Sequence, residues 1–157
     1  MKITLLVIGK TDTIYLNDGI SEYVKRLNHY INFEIDVISD IKKSKTMSIE
    51  QQKNLEGDLI ISKNLSGKEL HLFDENGKMF SSREFAGFLE KKMASGLKEL
   101  VFVVGGPYGF SPKVYETANS KISLSALTFS HQMVRLMCVE QIYRAFTILK
   151  GEPYHHD

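Results

Sequence analysis

The sequence predicts an α/β fold with a mainly parallel sheet flanked by helices. Apolar runs short enough for strands alternate with segments of helical periodicity along the whole chain. Two of the runs, Ile3–Ile8 and Leu100–Val104, are apolar without alternation, as strands covered on both faces are. With 157 residues, 43% hydrophobic and 25% charged, the chain has material for a proper core, which excludes general disorder and a fibrous repeat.

Ile3–Ile8 is the first strand and is bounded by Gly9. Leu16, Ile20, Tyr23, Val24 and Leu27 recur at helical spacing, with Lys25 and Arg26 off the stripe. Phe33, Ile35 and Val37 alternate with Glu34 and Asp36, the pattern of a half-buried strand. Ser39 to Met47 is polar and basic and reads as a loop. Ser48-x-x-Gln51 is a capping-box sequence opening a second helix that reaches Ser62. Leu70–Phe73 is a third strand, closed by Asp74-Glu75-Asn76-Gly77, where Asn-Gly favours a turn with positive φ. Ser81-x-x-Glu84 opens a third helix carrying Phe85, Phe88, Leu89 and Met93 and ending near Gly96. Leu100–Val104 runs into Gly105-Gly106-Pro107-Tyr108-Gly109, and Ser111-Pro112 places a capping Ser before a Pro suited to a first helical position. Ile122–Phe129 reads as a fifth strand, and His131–Lys150 as a long helix ended by Gly151.

That last helix is apolar almost all round, so it needs cover on more than one side, and a homodimer packed through it is the expectation. Net charge is only +1, so global charge does not announce a nucleic-acid binder. Lys121, Arg135, Arg144 and Lys150 face a single acid, Glu140, within the segment they span, and Lys42, Lys43 and Lys45 form a smaller cluster; both read as solvated surface on charge alone. The lone Cys138 excludes an intramolecular disulfide and reads as a buried, inert thiol. No apolar run approaches the roughly 18 residues of a membrane span, and the opening segment reads as a strand rather than a secretory signal, so the expected compartment is the cytoplasm.

Few motifs carry chemistry. The glycine-rich turn at 105–109 follows a buried strand, where α/β folds bind ligands, but a tight turn alone would look the same. Neither Gly-x-Gly-x-x-Gly nor a phosphate-binding Walker sequence is present, and there is no Gly-x-Ser-x-Gly elbow. The histidines (His29, His71, His131, His155, His156) show no helical metal pair; His155-His156-Asp157 is open to reading as a metal ligand set or a mobile tail. Glu140 and Arg144 are spaced i, i+4, and two charges on so apolar a helix need an interface or a site to explain them.

Taken together, Val-Val-Gly-Gly-Pro-Tyr-Gly (103–109), Leu-Ser-Ala-Leu-Thr-Phe-Ser-His (124–131), Arg-Leu-Met-Cys-Val-Glu-Gln-Ile-Tyr-Arg-Ala (135–145) and Pro-Tyr-His (153–155) resemble the ribosomal RNA large-subunit methyltransferase H family of the SPOUT superfamily, over essentially the whole chain. The resemblance implies a single SPOUT α/β knot domain over 1–157, with a deep C-terminal trefoil knot within about 70–157. It implies S-adenosyl-L-methionine as methyl donor, no metal, and an obligate homodimer with each active site at the interface. The substrate it implies is the assembled ribosome, methylated at N3 of a pseudouridine in 23S rRNA.

Position by position, the family's cofactor residues fall on Phe73 (Leu in relatives), Gly105, and Leu124, Ser125, Ala126, Leu127, Thr128 and Phe129. Ser130 stands where relatives usually have Pro. Arg144, Tyr154 and His155 are the candidates for assisting loss of the N3 proton, with the base left open among them. The rival readings are a SPOUT methyltransferase acting on transfer RNA, a non-catalytic S-adenosylmethionine-binding protein, and a structural ribosome-assembly factor.

Overall fold

The structure, a computed structural model, describes residues 1–42, 45–63 and 65–156. Lys43 of the small basic cluster and Asp157 of the tail lie outside these residues. The elements in chain order are β1 (Lys2–Ile8), α1 (Ile14–Leu27), β2 (Asn32–Ile38), α2 (Ile49–Ile61), β3 (Lys68–Met79), α3 (Ser82–Ala94), β4 (Glu99–Val104), α4 (Pro112–Thr117), β5 (Ser120–Ser123) and α5 (Met133–Leu149). The sheet order is β2-β1-β4-β3-β5 and every pairing is parallel.

The central strands are apolar on both faces because each face has its own helices. Ile3, Leu5 and Val7 of β1 and Leu100, Phe102 and Val104 of β4 point into a core built with α1, α3 and α5. Leu6, Ile8, Val101 and Val103 point into a second core, closed by Ile60 of α2 and Val114 of α4. This period-2 division of a continuous apolar run is what burial on two sides requires. Both expected capping boxes form. Ser48 Oγ accepts from Gln51 N at 3.1 Å and Gln51 Oε1 from Ser48 N at 2.9 Å; the Ser81–Glu84 pair repeats this at 3.2 and 2.7 Å.

Several expectations are corrected. β5 ends at Ser123 rather than Phe129. It lies at the sheet edge and, among the described residues, pairs only with β3, whose last partner for it is Met79, opposite Ser123. β3 does not stop at Phe73 but resumes through Met79 after an irregularity between Phe73 and Lys78. Asn76 N donates to Asp74 Oδ1 at 2.8 Å in this bulge. Gly77 is not among the positive-φ glycines; glycine is needed there because a Cβ would sit 2.5 Å from the backbone N of Ile122. On the edge strand β2, Val37 is exposed and Ile38 takes the buried place. Ser111 precedes α4 with Pro112 at its first turn, yet its side chain makes no cap bond; its hydroxyl packs against Gly57 of α2.

Candidate functional site

The carboxyl ends of β4 and β5 and the bulge within β3 meet at one cleft of about 420 Å³. Phe73 and the bulge Asp74–Asn76 form one wall, the loop Gly105–Phe110 a second, and the segment after β5 a third. His131 and Val134, at the start of α5, close it. Carboxyl ends of parallel strands are where such sheets bind ligands, because the loops diverge there and leave backbone groups free.

Close packing behind the glycine loop explains its composition. A Cβ on Gly105 would stand 3.1 Å from the Phe110 ring, and one on Gly106 would stand 2.7 Å from the Glu56 carboxylate. Gly109 takes φ +79° and donates back to Gly106 O at 3.2 Å. Opposite, Asp74 accepts from the Tyr115 hydroxyl at 2.5 Å; burial, then this carboxylate, pushes the Tyr115 phenol well above its ordinary value, so it stays a donor. Thr128 Oγ1 donates to Glu75 Oε2 at 3.1 Å and ties the third loop to the bulge.

The third loop is shaped by its serines. Ser123 Oγ donates to Ser125 O at 2.9 Å, and Leu127 N to Ser125 Oγ at 3.0 Å. Ser130 Oγ accepts from Met133 N at 3.2 Å and Ser130 O from Val134 N at 3.0 Å, so this residue leads the chain into α5 by hydrogen bonds where a proline would do so by its ring. Of the residues expected to hold a cofactor, Phe73, Gly105, Leu124, Ser125, Leu127, Thr128 and Phe129 line the cleft; Ala126 is exposed on the same loop and does not.

Arg144, Tyr154 and His155 are brought together, but elsewhere. Glu140 Oε1 accepts from Arg144 Nη2 at 2.6 Å, Arg144 Nε at 3.1 Å and Tyr154 Oη at 3.0 Å. The Arg144 guanidinium lies 4.7 Å from the Tyr154 ring centre, and its Nη1 is 3.4 Å from His155 Nδ1. Tyr154 Oη also meets Tyr23 Oη of α1 at 3.1 Å. The bond to Glu140 holds the Arg144 guanidinium above its ordinary value. Burial, then Tyr23 and Glu140, raises the Tyr154 phenol. Ten residues of helix separate Arg144 from the cleft-lining Val134, about 15 Å along the axis.

Sequence reasoning missed Arg135 and Glu56. Arg135 is not solvated surface: it is 1% exposed. Its guanidinium donates to the carbonyls of Ile8 (2.5 Å), Gly9 (2.8 Å) and His131 (3.1 Å) and to Thr11 Oγ1 (3.0 Å), joining the end of β1 to the start of α5. The signal was there, a basic residue inside an apolar helix, but sequence alone does not say which face it takes. Cys138 is fully buried, and desolvation pushes its thiol far above the ordinary range, so it is inert. Among the described residues no group of three or more His, Cys, Asp or Glu side chains could hold a metal ion, and no helix is long and apolar enough to cross a membrane.

Residues 1–155 match the family model described as "Predicted SPOUT methyltransferase". A ribosomal RNA large subunit methyltransferase H from Parabacteroides distasonis is 59% identical over 157 residues, covering 100% of both chains. One from Christiangramia forsetii is 57% identical over 156 residues, covering 99% of both. Among solved structures, a probable methyltransferase from Bordetella pertussis shares the fold with TM-score 0.57 at 12% identity, over 92% of this chain and 96% of that one. A probable methylase family protein from Haemophilus influenzae does so with TM-score 0.53 at 14% identity, over 95% of this chain and 66% of that one. With full-length relatives at this identity and a family match over nearly every residue, the chain belongs to the SPOUT methyltransferases, within the ribosomal RNA large subunit methyltransferase H family.

Proposed function

We propose that this chain transfers a methyl group from S-adenosyl-L-methionine to N3 of a pseudouridine in 23S rRNA of the assembled ribosome, working as a homodimer in the cytoplasm. The full-length relatives named as ribosomal RNA methyltransferases support the substrate class. The cleft fits the donor: its volume lies within the range of small-molecule sites, with apolar side chains from Phe73, Ile122, Leu124, Leu127 and Phe129 and backbone polar groups between them. Bound there, the donor supplies an activated methyl group. The chain's own part is to exclude water with those apolar walls and to hold acceptor and donor in line. We take the domain to be a single SPOUT unit over 1–157, knotted within about 70–157.

One observation carries the dimeric mechanism: the cleft and the Arg144–Tyr154–His155 cluster are about 15 Å apart along α5 in one chain. A site combining them draws the cluster from a second copy. Ile14 and Tyr15, 78% and 66% exposed at the start of α1, and Leu127, 75% exposed on the cleft loop, support such a contact. Within the cluster, Arg144 remains a cation and Tyr154 a neutral phenol, so His155 is the group suited to take the N3 proton, while Arg144 steadies the resulting imide anion.

The test is transfer of labelled methyl to ribosomes lacking the modification, beside free rRNA and transfer RNA, using Arg144→Ala and Gly105→Ile chains singly and mixed. Each alone is expected to be inactive. A mixture recovers about a quarter of wild-type turnover if the two halves come from different chains, since half the dimers carry one intact site of two. No recovery refutes the shared site, and label in transfer RNA alone refutes the substrate.

A further inference from the structure

The last residues of the chain do not trail away from α5; they fold back along it. Gly151 takes φ +65° and donates its N–H to Ile148 O at 3.0 Å, and Glu152 N donates to Thr147 O at 2.9 Å, the reversal with which a helix ends on a left-handed glycine. This turn brings the Tyr154 ring back beside Tyr143, with ring centres 4.8 Å apart.

Two tyrosines of the α1 region then hold the tail. Tyr23, on α1, meets the Tyr154 hydroxyl with its own at 3.1 Å. Tyr30, just beyond the end of α1, donates its hydroxyl to Glu152 Oε2 at 2.5 Å. That carboxylate, and then burial, push the Tyr30 phenol up to about 12, so it stays a donor through the neutral range. Both rings also pack on Tyr143, with centres 5.6 and 6.0 Å from it. Neither tyrosine lines the cleft.

Chain ends fray unless something ties them down. Ordering this one costs conformational entropy, and burial returns little of it, since Glu152, Pro153 and His156 are exposed. The two hydroxyl contacts are out of proportion to what the fold gains from the tail. What they fix is the residue after Tyr154: His155 Nδ1 comes to 3.4 Å from Arg144 Nη1. The cleft of the same chain cannot brace the tail, because it lies about 15 Å away along α5.

We propose that Tyr23 and Tyr30 are positioning residues for methyl transfer: they dock the C-terminal tail on its own chain, so that His155 is already in place beside Arg144 when a second copy's cleft meets it. The inference rests on the assignment of His155 as proton acceptor made above. Both tyrosines act through the order of the tail, by raising the fraction of molecules in which His155 is correctly placed.

The experiment measures kcat for transfer of labelled methyl to ribosomes lacking the modification, per cofactor-binding site and well below Tm, beside the Kd for S-adenosylmethionine by calorimetry. The variants are Tyr23→Phe, Tyr30→Phe, the two combined, Glu152→Ala and His155→Ala. Each Phe keeps the ring and loses only the hydroxyl. Each single Phe variant is expected to lower kcat about threefold and the pair about tenfold, with Kd within about twofold of wild type. Tyr30→Phe combined with Glu152→Ala should lose no more than either alone, because both remove the same bond. Hydrogen exchange at the Glu152 and Tyr154 amides should quicken as kcat falls. Phe variants that lower Tm but keep wild-type kcat have a merely structural role, and that result overturns the inference, as does a fall in kcat with exchange unchanged. His155→Ala with full turnover overturns the assignment of the proton acceptor and the inference with it; an inactive His155→Ala beside a fully active pair of Phe substitutions overturns the inference alone.

Discussion

Replacing Arg135 with Met tests what holds the cleft's rim in place. The guanidinium makes four hydrogen bonds, all to neutral acceptors, three of them main-chain carbonyls. Its burial holds it below its ordinary value, with Asp40 and then Asp12 opposing through space. Met preserves the packing of the stem and removes every donor. Three carbonyls then lose a partner at about 1 kcal/mol each, the low end for a group with a second lone pair. Part of this returns, because the variant no longer desolvates a charge. The net expectation is a loss of about 2 kcal/mol, or roughly 4–8 °C in Tm for a domain of this size. Urea unfolding should show a lower midpoint with an unchanged slope. Hydrogen exchange should quicken at 9–13 and 130–133, the two segments the guanidinium joins, and not in β4. An unchanged midpoint would refute the reasoning, since the bonds and the desolvation cost would then cancel.

Three further outcomes are expected. Gly77→Ala should destabilise the protein by about 2 kcal/mol because its Cβ meets the Ile122 backbone, whereas Gly87→Ala, in α3 with open space around it, should stabilise by about 0.5–1 kcal/mol; paired denaturation curves check the opposite signs. His71 is held below its ordinary 6.5 by burial, so its contribution to stability is complete above pH 6.5 and is lost as pH falls towards its folded value; wild type should lose more stability than His71→Gln between pH 7.5 and 5.5 in urea titrations, a window above the ordinary 4.5 of the carboxylates Glu69 and Glu99, whose folded values are lower still. Arg144→Lys keeps the charge but not the two-nitrogen grip on Glu140, so kcat should fall about 10–100-fold while the Kd for S-adenosylmethionine stays within threefold; equal loss in both would place Arg144 in the donor cleft.

What could be read from residues divides along physical lines. The continuous apolar runs of β1 and β4 declare their two-sided burial, and the capping boxes at Ser48 and Ser81 declare helix starts, because both signals are local. The failures involve partners distant in sequence. Ile122–Phe129 carries a strand's composition, yet only neighbouring strands decide where pairing ends, and β3 stops opposite Ser123. Asn76-Gly77 has a turn's composition, yet its glycine answers to the backbone of Ile122, 45 positions away. The cleft itself was foreshadowed by the glycine loop and the pattern of 124–129, whose residues line it. The ten residues of α5 between Val134 and Arg144 already set their separation at about 15 Å; what the sequence did not show is that Val134 lines the cleft.

The places where this chain breaks ordinary folding rules gather at one end of the sheet. Arg135 buries a cation on neutral carbonyls, Glu56 buries a carboxylate against a glycine loop, and Leu127 leaves an apolar side chain 75% exposed. Each weakens the lone fold: the first two by desolvation, the third by unburied apolar surface. The body of the sheet shows no such concessions in β1 and β4, where alternate residues fill two cores. Local conflict with global stability is expected where a site must keep something that packing alone would discard. By that criterion the β3 bulge and the carboxyl ends of β4 and β5 are the place to test for function, independently of any family likeness. On the proposed reading, the exposed Leu127 is an apolar wall that a ligand and a second copy would complete.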